Sequence, residues 1–182
     1  RGIYLAFGAN AAGEALGELW RYDTTGGAWT EQAALAGGAR FGSACAWASV
    51  EKVLYGYGGM NVDGALVVYS DLVRYDPSDG SWLTVGDLGV ALANHEMVYW
   101  DGDLWIFGGA SASAVSNKLW RVDLETGLLS QVGLASTALQ GMSVEEIDDS
   151  LWILGGQTAV GEGNESSEIV SFPMPDGPFA QE

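Results

Sequence analysis

The chain has 182 residues, enough for one ordinary domain, and 48% of them are hydrophobic, which excludes disorder for want of a core. Its 24 acidic against 7 basic residues leave a net charge of −17, a surface that repels nucleic acid and anionic membrane. A single cysteine, Cys45, excludes an internal disulfide, and no apolar run approaches the roughly 18 residues of a membrane-spanning helix.

In chain order, the first element is an apolar run over residues 3–9 that reaches Gly8, and it is followed by a loop and a second strand over residues 18–23. Asp23, Gly27 and Trp29 then mark a tight turn into a third strand, because a carboxylate can accept backbone N–H groups and glycine tolerates positive φ. Arg40-Phe41-Gly42-Ser43 leads into a strand around residues 42–47, and the whole series begins again: an apolar run to Gly58-Gly59, a loop, a strand over 71–76, then Asp76, Gly80 and Trp82. A third series has a strand around 94–99, a run to Gly108-Gly109, a strand over 118–123, then Asp123, Gly127 and Leu129. The fourth has a strand around 141–145, a run to Gly155-Gly156 and a weaker strand over 168–172, with Pro173 where the turn is expected. Asp101-Gly102-Asp103 and Asp148-Asp149-Ser150 supply the turns ahead of the last two glycine runs.

Four strands per unit, with Gly8, Gly58, Gly108 and Gly155 at one register and no helical period, predict an all-β chain of tandem sheets. The Gly-Gly runs, the Tyr-Asp pairs, the later tryptophans and Arg40-Phe41-Gly42-Ser43 together resemble the kelch repeat. That resemblance implies a β-propeller, here with repeats at about 1–38, 39–88, 89–136 and 137–182, of which two are complete blades and two partial. Kelch propellers have six or seven blades, so the expectation is a piece of a larger ring, the missing blades coming from the rest of the chain or from another chain. On this alignment Ala9 stands where the second glycine belongs, and Leu129 replaces a tryptophan.

Chemistry is sparse. The lone histidine, His95, cannot form a two-histidine metal site and falls where the repeat expects a histidine, with Ser43 and Met142 at the matching places. Cys45 reads as a small buried hydrophobe, and Arg21, Arg74 and Arg121, at one register of the second strand, as structural arginines pairing between blades. No catalytic residue, metal or cofactor is expected.

The loops after the glycine runs keep neither length nor residue type, and rigid strands carrying divergent loops are how repeat proteins present a binding face. The candidate binding residues are therefore Asn61 and Asp63 in one loop, Glu162, Asn164 and Glu165 in another, and Arg40, which enters a first strand with Leu92 and Leu139 at its counterparts. Asn164-Glu165-Ser166 is also a glycosylation sequon.

The functional expectation is a non-catalytic protein-interaction or scaffold module, with a protein partner first and carbohydrate second. The alternative is a piece of a propeller enzyme or carbohydrate-binding protein whose active residues lie outside this chain. Neither nucleic-acid binding nor membrane insertion is expected. The acidity leans toward an extracellular or cell-surface setting and leaves the cytoplasm open.

Overall fold

The computed structural model describes residues 2–148, 150–159 and 163–173, and among them every regular element is a strand. The first sheet holds β1 (Gly2–Ala9), β2 (Ala15–Asp23) and β3 (Ala28–Gln32) in that order. The second runs β4 (Ala44–Ala48), β5 (Val53–Tyr57), β8 (Asp71–Asp76), β9 (Ser81–Asp87), with a separate ribbon of β6 (Met60–Asp63) and β7 (Ala65–Val68) inserted after β5. The third is β10 (Glu96–Trp100), β11 (Asp103–Phe107), β12 (Lys118–Asp123), β13 (Leu128–Leu134), and the last is β14 (Ser143–Ile147), β15 (Ser150–Leu154), β16 (Ile169–Pro173). All neighbouring strands are antiparallel.

The sheets stack face to face as blades, and the core lies between them. Alternate residues of each second strand point to opposite neighbours, as the two-residue period of a strand requires. Thus Tyr55 and Tyr57 meet Leu104 and Ile106 in the seam between the second and third blades, while Trp105 and Phe107 pack with Leu151 and Ile153 in the next seam. Leu54 and Tyr75 meet Leu19, Tyr4 and Ala6 between the first and second blades. Strands buried on both faces explain why the glycine runs are almost continuously apolar. The first strands converge, β4 against β10 and β10 against β14, so the glycine runs are the second strands of their blades and not the innermost.

The aspartate turns form as the sequence implies. Gly27, Gly80 and Gly127 donate their N–H groups to the carbonyls of Asp23, Asp76 and Asp123 at 2.8, 2.9 and 2.8 Å, with φ of 70°, 72° and 71°. Each aspartate also accepts from the turn with its carboxylate, from Thr25, Ser78 and Thr126 respectively, and these bonds hold all three carboxyls below the usual range.

The first glycine run is displaced by one residue from its expected alignment. Gly8 donates its N–H to the Arg40 carbonyl at 2.9 Å, as Gly59 does to Leu92 and Gly109 to Leu139, both at 2.8 Å. Gly8 is therefore the second glycine, and Phe7, with φ of 64°, occupies the left-handed place held by Gly58 and Gly108. Ala9 does not replace a glycine. A bulky residue in that conformation is costly, and Phe7 is held there by burial against Trp82 and beneath the Arg40 guanidinium.

The repeated second glycine is required by close approach. At Gly109, with φ of 83°, an added Cβ would lie 2.6 Å from the His95 Cβ and 3.0 Å from the Ala93 carbonyl oxygen. Gly59 stands in the same relation to Ser43 and Gly156 to Met142, which places Ser43, His95 and Met142 at one structural position.

Candidate functional site

The divergent loops all leave the same end of their blades, because each follows a second strand. They differ in construction. After β1, Asn10 closes a small loop by accepting from Ala12 and Glu14 N–H groups and donating to the Glu14 carboxylate at 2.7 Å. After β11, Ser111 accepts from the Ser113 and Ala114 N–H groups. After β15, Thr158 donates its N–H to the Asn164 carbonyl, and Gly163 donates to the Glu165 carboxylate. The loop after β5 is not irregular: it is the β6–β7 ribbon, reversing at Gly64 with φ of 75°.

In that ribbon Asn61 opposes Val67 and Asp63 opposes Ala65, on one side, while Met60 opposes Val68 and Val62 opposes Leu66 on the other. Val62 is 59% exposed and Leu66 49%, so an apolar cross-strand pair faces solvent at the tip of the second blade. Asp63 is exposed and Asn61 half-buried. Asn164 and Glu165 lie in the fourth blade's loop, Glu165 exposed, with the third blade between them and the ribbon; Glu162 lies outside the described residues. The structure therefore brings Asn61 to Asp63 and Asn164 to Glu165 but does not bring the two pairs together.

Arg40 is placed differently from a channel-mouth ligand. It is 3% exposed, and its guanidinium grips Asp71 with two bonds of 2.7 and 3.0 Å while also donating to the carbonyls of Gly38 and Gly58. It stacks 4.2 Å from the Tyr69 ring at the foot of the ribbon. Its counterparts Leu92 and Leu139 are buried too, so this register position is a core position where one repeat has substituted a clasp for an aliphatic side chain. Because its bonds are made within the chain, Arg40 positions the ribbon's base instead of facing a partner.

The remaining reactive groups are inward. Burial holds the His95 imidazole down to about 3, so it is neutral, edge-on to Tyr57 at 5.2 Å, and its ring nitrogens have no well-formed hydrogen-bond partner. Desolvation pushes the Cys45 thiol up to about 12, which makes it a poor nucleophile. Arg121 pairs with Asp103 at 2.5 Å. That pair lies within the third blade and not between blades, since Arg121 sits opposite Trp105 and Asp103 is two residues along the same face. Among the described residues no group of three or more His, Cys, Asp or Glu could hold a metal ion.

The solved structure of YjhT superposes on 95% of this chain with a TM-score of 0.78 at 20% identity. A curated relative from Saccharomyces cerevisiae, Kelch repeat-containing protein 2, is 38% identical over 82 residues, 41% of this chain. The fold is that of a kelch-type β-propeller. No family model matches it. The chain spans 9% of the yeast relative and 60% of the YjhT chain. Within this propeller the ribbon could not be read from the sequence as structure, although Val62-Asp63-Gly64-Ala65 flanked by apolar residues carries a hairpin signal in its Asp-Gly pair.

Proposed function

We propose that this kelch propeller is a non-catalytic protein-interaction module that engages its partner through the variable loops, with the β6–β7 ribbon as the main contact. The observation that carries this reading is the exposed Val62–Leu66 pair, raised on a ribbon whose base is clasped by Arg40 and Asp71. Apolar side chains held on a rigid element suit the buried centre of an interface, and Asn61, Asp63 and the loop carboxylates suit its polar rim. Asn164 and Glu165, on the fourth blade's loop, offer a second polar contact separate from the ribbon.

The test is a photo-crosslinker placed at Val62 and, as a control, at Leu83 on the outer strand β9, which is equally open at 53% exposure. Crosslinks to the same partner from Val62 and not from Leu83 are expected. V62S/L66S should abolish the capture, and paired changes at Asn61 and Asp63 or at Glu162 and Glu165 should weaken it, with stability altered by no more than about 0.5 kcal/mol. Capture from Leu83 alone would place the interface on the blade rim and overturn this reading.

A further inference from the structure

Gly58, Gly108 and Gly155 donate their N–H groups to the carbonyls of Asp71, Lys118 and Glu168 at 3.2, 3.1 and 3.0 Å, which makes these three acceptors equivalent. Glu18 holds the same place in the first blade, one residue ahead of Leu19 as Lys118 is one ahead of Leu119. Three repeats therefore carry a carboxylate at this position, and the third repeat carries an ammonium. Two residues further on, along the same face of the strand, the first and third blades carry a tryptophan. In the first blade the Trp20 indole N–H donates to the Glu18 carboxylate at 2.9 Å. In the third the carboxylate is gone, and Trp120 Nε1 is shut away from water with no hydrogen-bond partner among the described residues. A buried donor left unmet is disfavoured, so its acceptor is to be looked for.

Lys118 and Trp120 line a cleft of about 430 Å³ between the second and third blades. One wall is the segment 89–92, held to the second blade by the Leu88 N–H on the Ser70 carbonyl at 2.9 Å, the Tyr57 hydroxyl on the Val90 carbonyl and the Leu92 N–H on the Tyr69 carbonyl at 3.2 Å. The other wall is the loop after β11, held by the Ser116 N–H on the Gly109 carbonyl at 2.7 Å and the Asn117 carboxamide on the Ala135 carbonyl at 3.0 Å. Val90 and Val115 give the walls apolar patches. The Lys118 ammonium lies 5.1 Å from the centre of the Trp120 ring, and among the described residues no carboxylate pairs with it. In a chain of net charge −17, an ammonium without an ion pair beside an unmet indole N–H is a place for an anion from outside.

We propose that this cleft binds a small organic carboxylate with a flat apolar body. The ligand's carboxylate takes the place that the Glu18 side chain holds beside Trp20, accepting from both the Lys118 ammonium and the Trp120 indole N–H. Lys118 is exposed and its stem is flexible, so the ammonium leaves the ring face to admit the ligand. The flat body lies against Val90 and Val115, since ligand sites of this size combine an apolar lining with a few placed polar groups. The second blade has no such site, because Asp71 is engaged by Arg40 and Val73 stands where Trp120 does. The cleft is separate from the ribbon and does not depend on it.

The probe is phenylacetate, titrated into the intact chain and followed by amide and indole N–H chemical shifts. Saturable shifts are expected at the Trp120 indole and in residues 89–92 and 111–118. Phenylacetamide, which lacks the charge, and acetate, which lacks the ring, should each bind at least tenfold more weakly. Lys118→Met should weaken phenylacetate at least tenfold. Lys118→Glu should abolish binding and move the Trp120 indole resonance toward that of Trp20, because it rebuilds the pair found in the first blade. Lys52→Met, at the other lysine, and V62S/L66S should respond as the parent does. Three results would overturn the proposal: no saturable shift of the Trp120 indole, equal affinity for phenylacetamide, or undiminished binding by Lys118→Glu.

Discussion

The seam between the second and third blades and the seam between the first and second are built from the same repeat, yet they differ in completeness. In the former, β4 and β10 meet and Leu104, Ile106 and Val122 are fully buried. In the latter, the outer part is closed by Leu19, Tyr75 and Trp82, whose indole donates to the Ala33 carbonyl at 2.7 Å, while the inner part is a cleft beside β1. Trp82 and Trp29 hold equivalent places on β9 and β3, but Trp29 is 50% exposed. A kelch blade's core is therefore made by its neighbour and not within the blade, as expected of repeats that contact only those beside them.

The largest effects should separate covered from uncovered faces. Ile106→Ala or Leu104→Ala is expected to cost about 2–5 kcal/mol in urea unfolding, whereas Ile3→Ala or Leu5→Ala, on the open face of β1 at 57% and 58% exposure, should cost about 0.5 kcal/mol or less. Equal losses would mean that the first blade's outer face is covered in solution. Next, Asp71→Asn should cost about 3 kcal/mol by leaving the Arg40 guanidinium buried without its carboxylate. Combining it with Arg40→Leu, the residue found at Leu92 and Leu139, should restore part of the loss. No recovery would show that the aliphatic solution used in the other repeats does not transfer to this seam.

Backbone substitutions give a smaller contrast. Gly127→Ala meets open space and should cost about 1 kcal/mol for its left-handed φ, whereas Gly109→Ala adds the collision with His95 and should cost clearly more in the same thermal melts. The smallest effect at neutral pH concerns His95. Its folded pKa of about 3 lies below the ordinary 6.5, so as pH falls through 6.5 the unfolded chain takes up a proton that the folded chain refuses. Stability is thus lost progressively from about pH 6.5 toward pH 3. His95→Met, which copies the side chain that Met142 supplies at the same place in the next repeat, should match the parent at pH 7.5 and lose less at pH 5. Parallel losses in both proteins would show that His95 is not the group responsible.

Much of the fold was legible because a repeat states its register several times over. Asp23, Asp76 and Asp123, each four residues ahead of a glycine, define the same turn in three blades, and local hydrogen bonding alone decides its shape. The candidate site was less legible. Asn61 and Asp63 were visible as members of a divergent loop, but their placement beside an exposed Val62–Leu66 pair follows from strand pairing within the ribbon, which the repeat does not encode because among the described residues no other loop forms one.

The sequence by itself determined the strands that recur from repeat to repeat, the aspartate turns and the position of the loops, since all depend on local backbone preference and on a period that recurs. Tertiary structure alone decided three things. It aligned Gly8 with Gly59, because interblade hydrogen bonding and not residue identity sets that register. It buried Arg40, because Asp71 is 31 residues away in the chain and meets it only when β8 is laid beside β5. It also left Trp29 exposed while half-burying Trp82, because whether an apolar face is core depends on the neighbouring blade that packs against it.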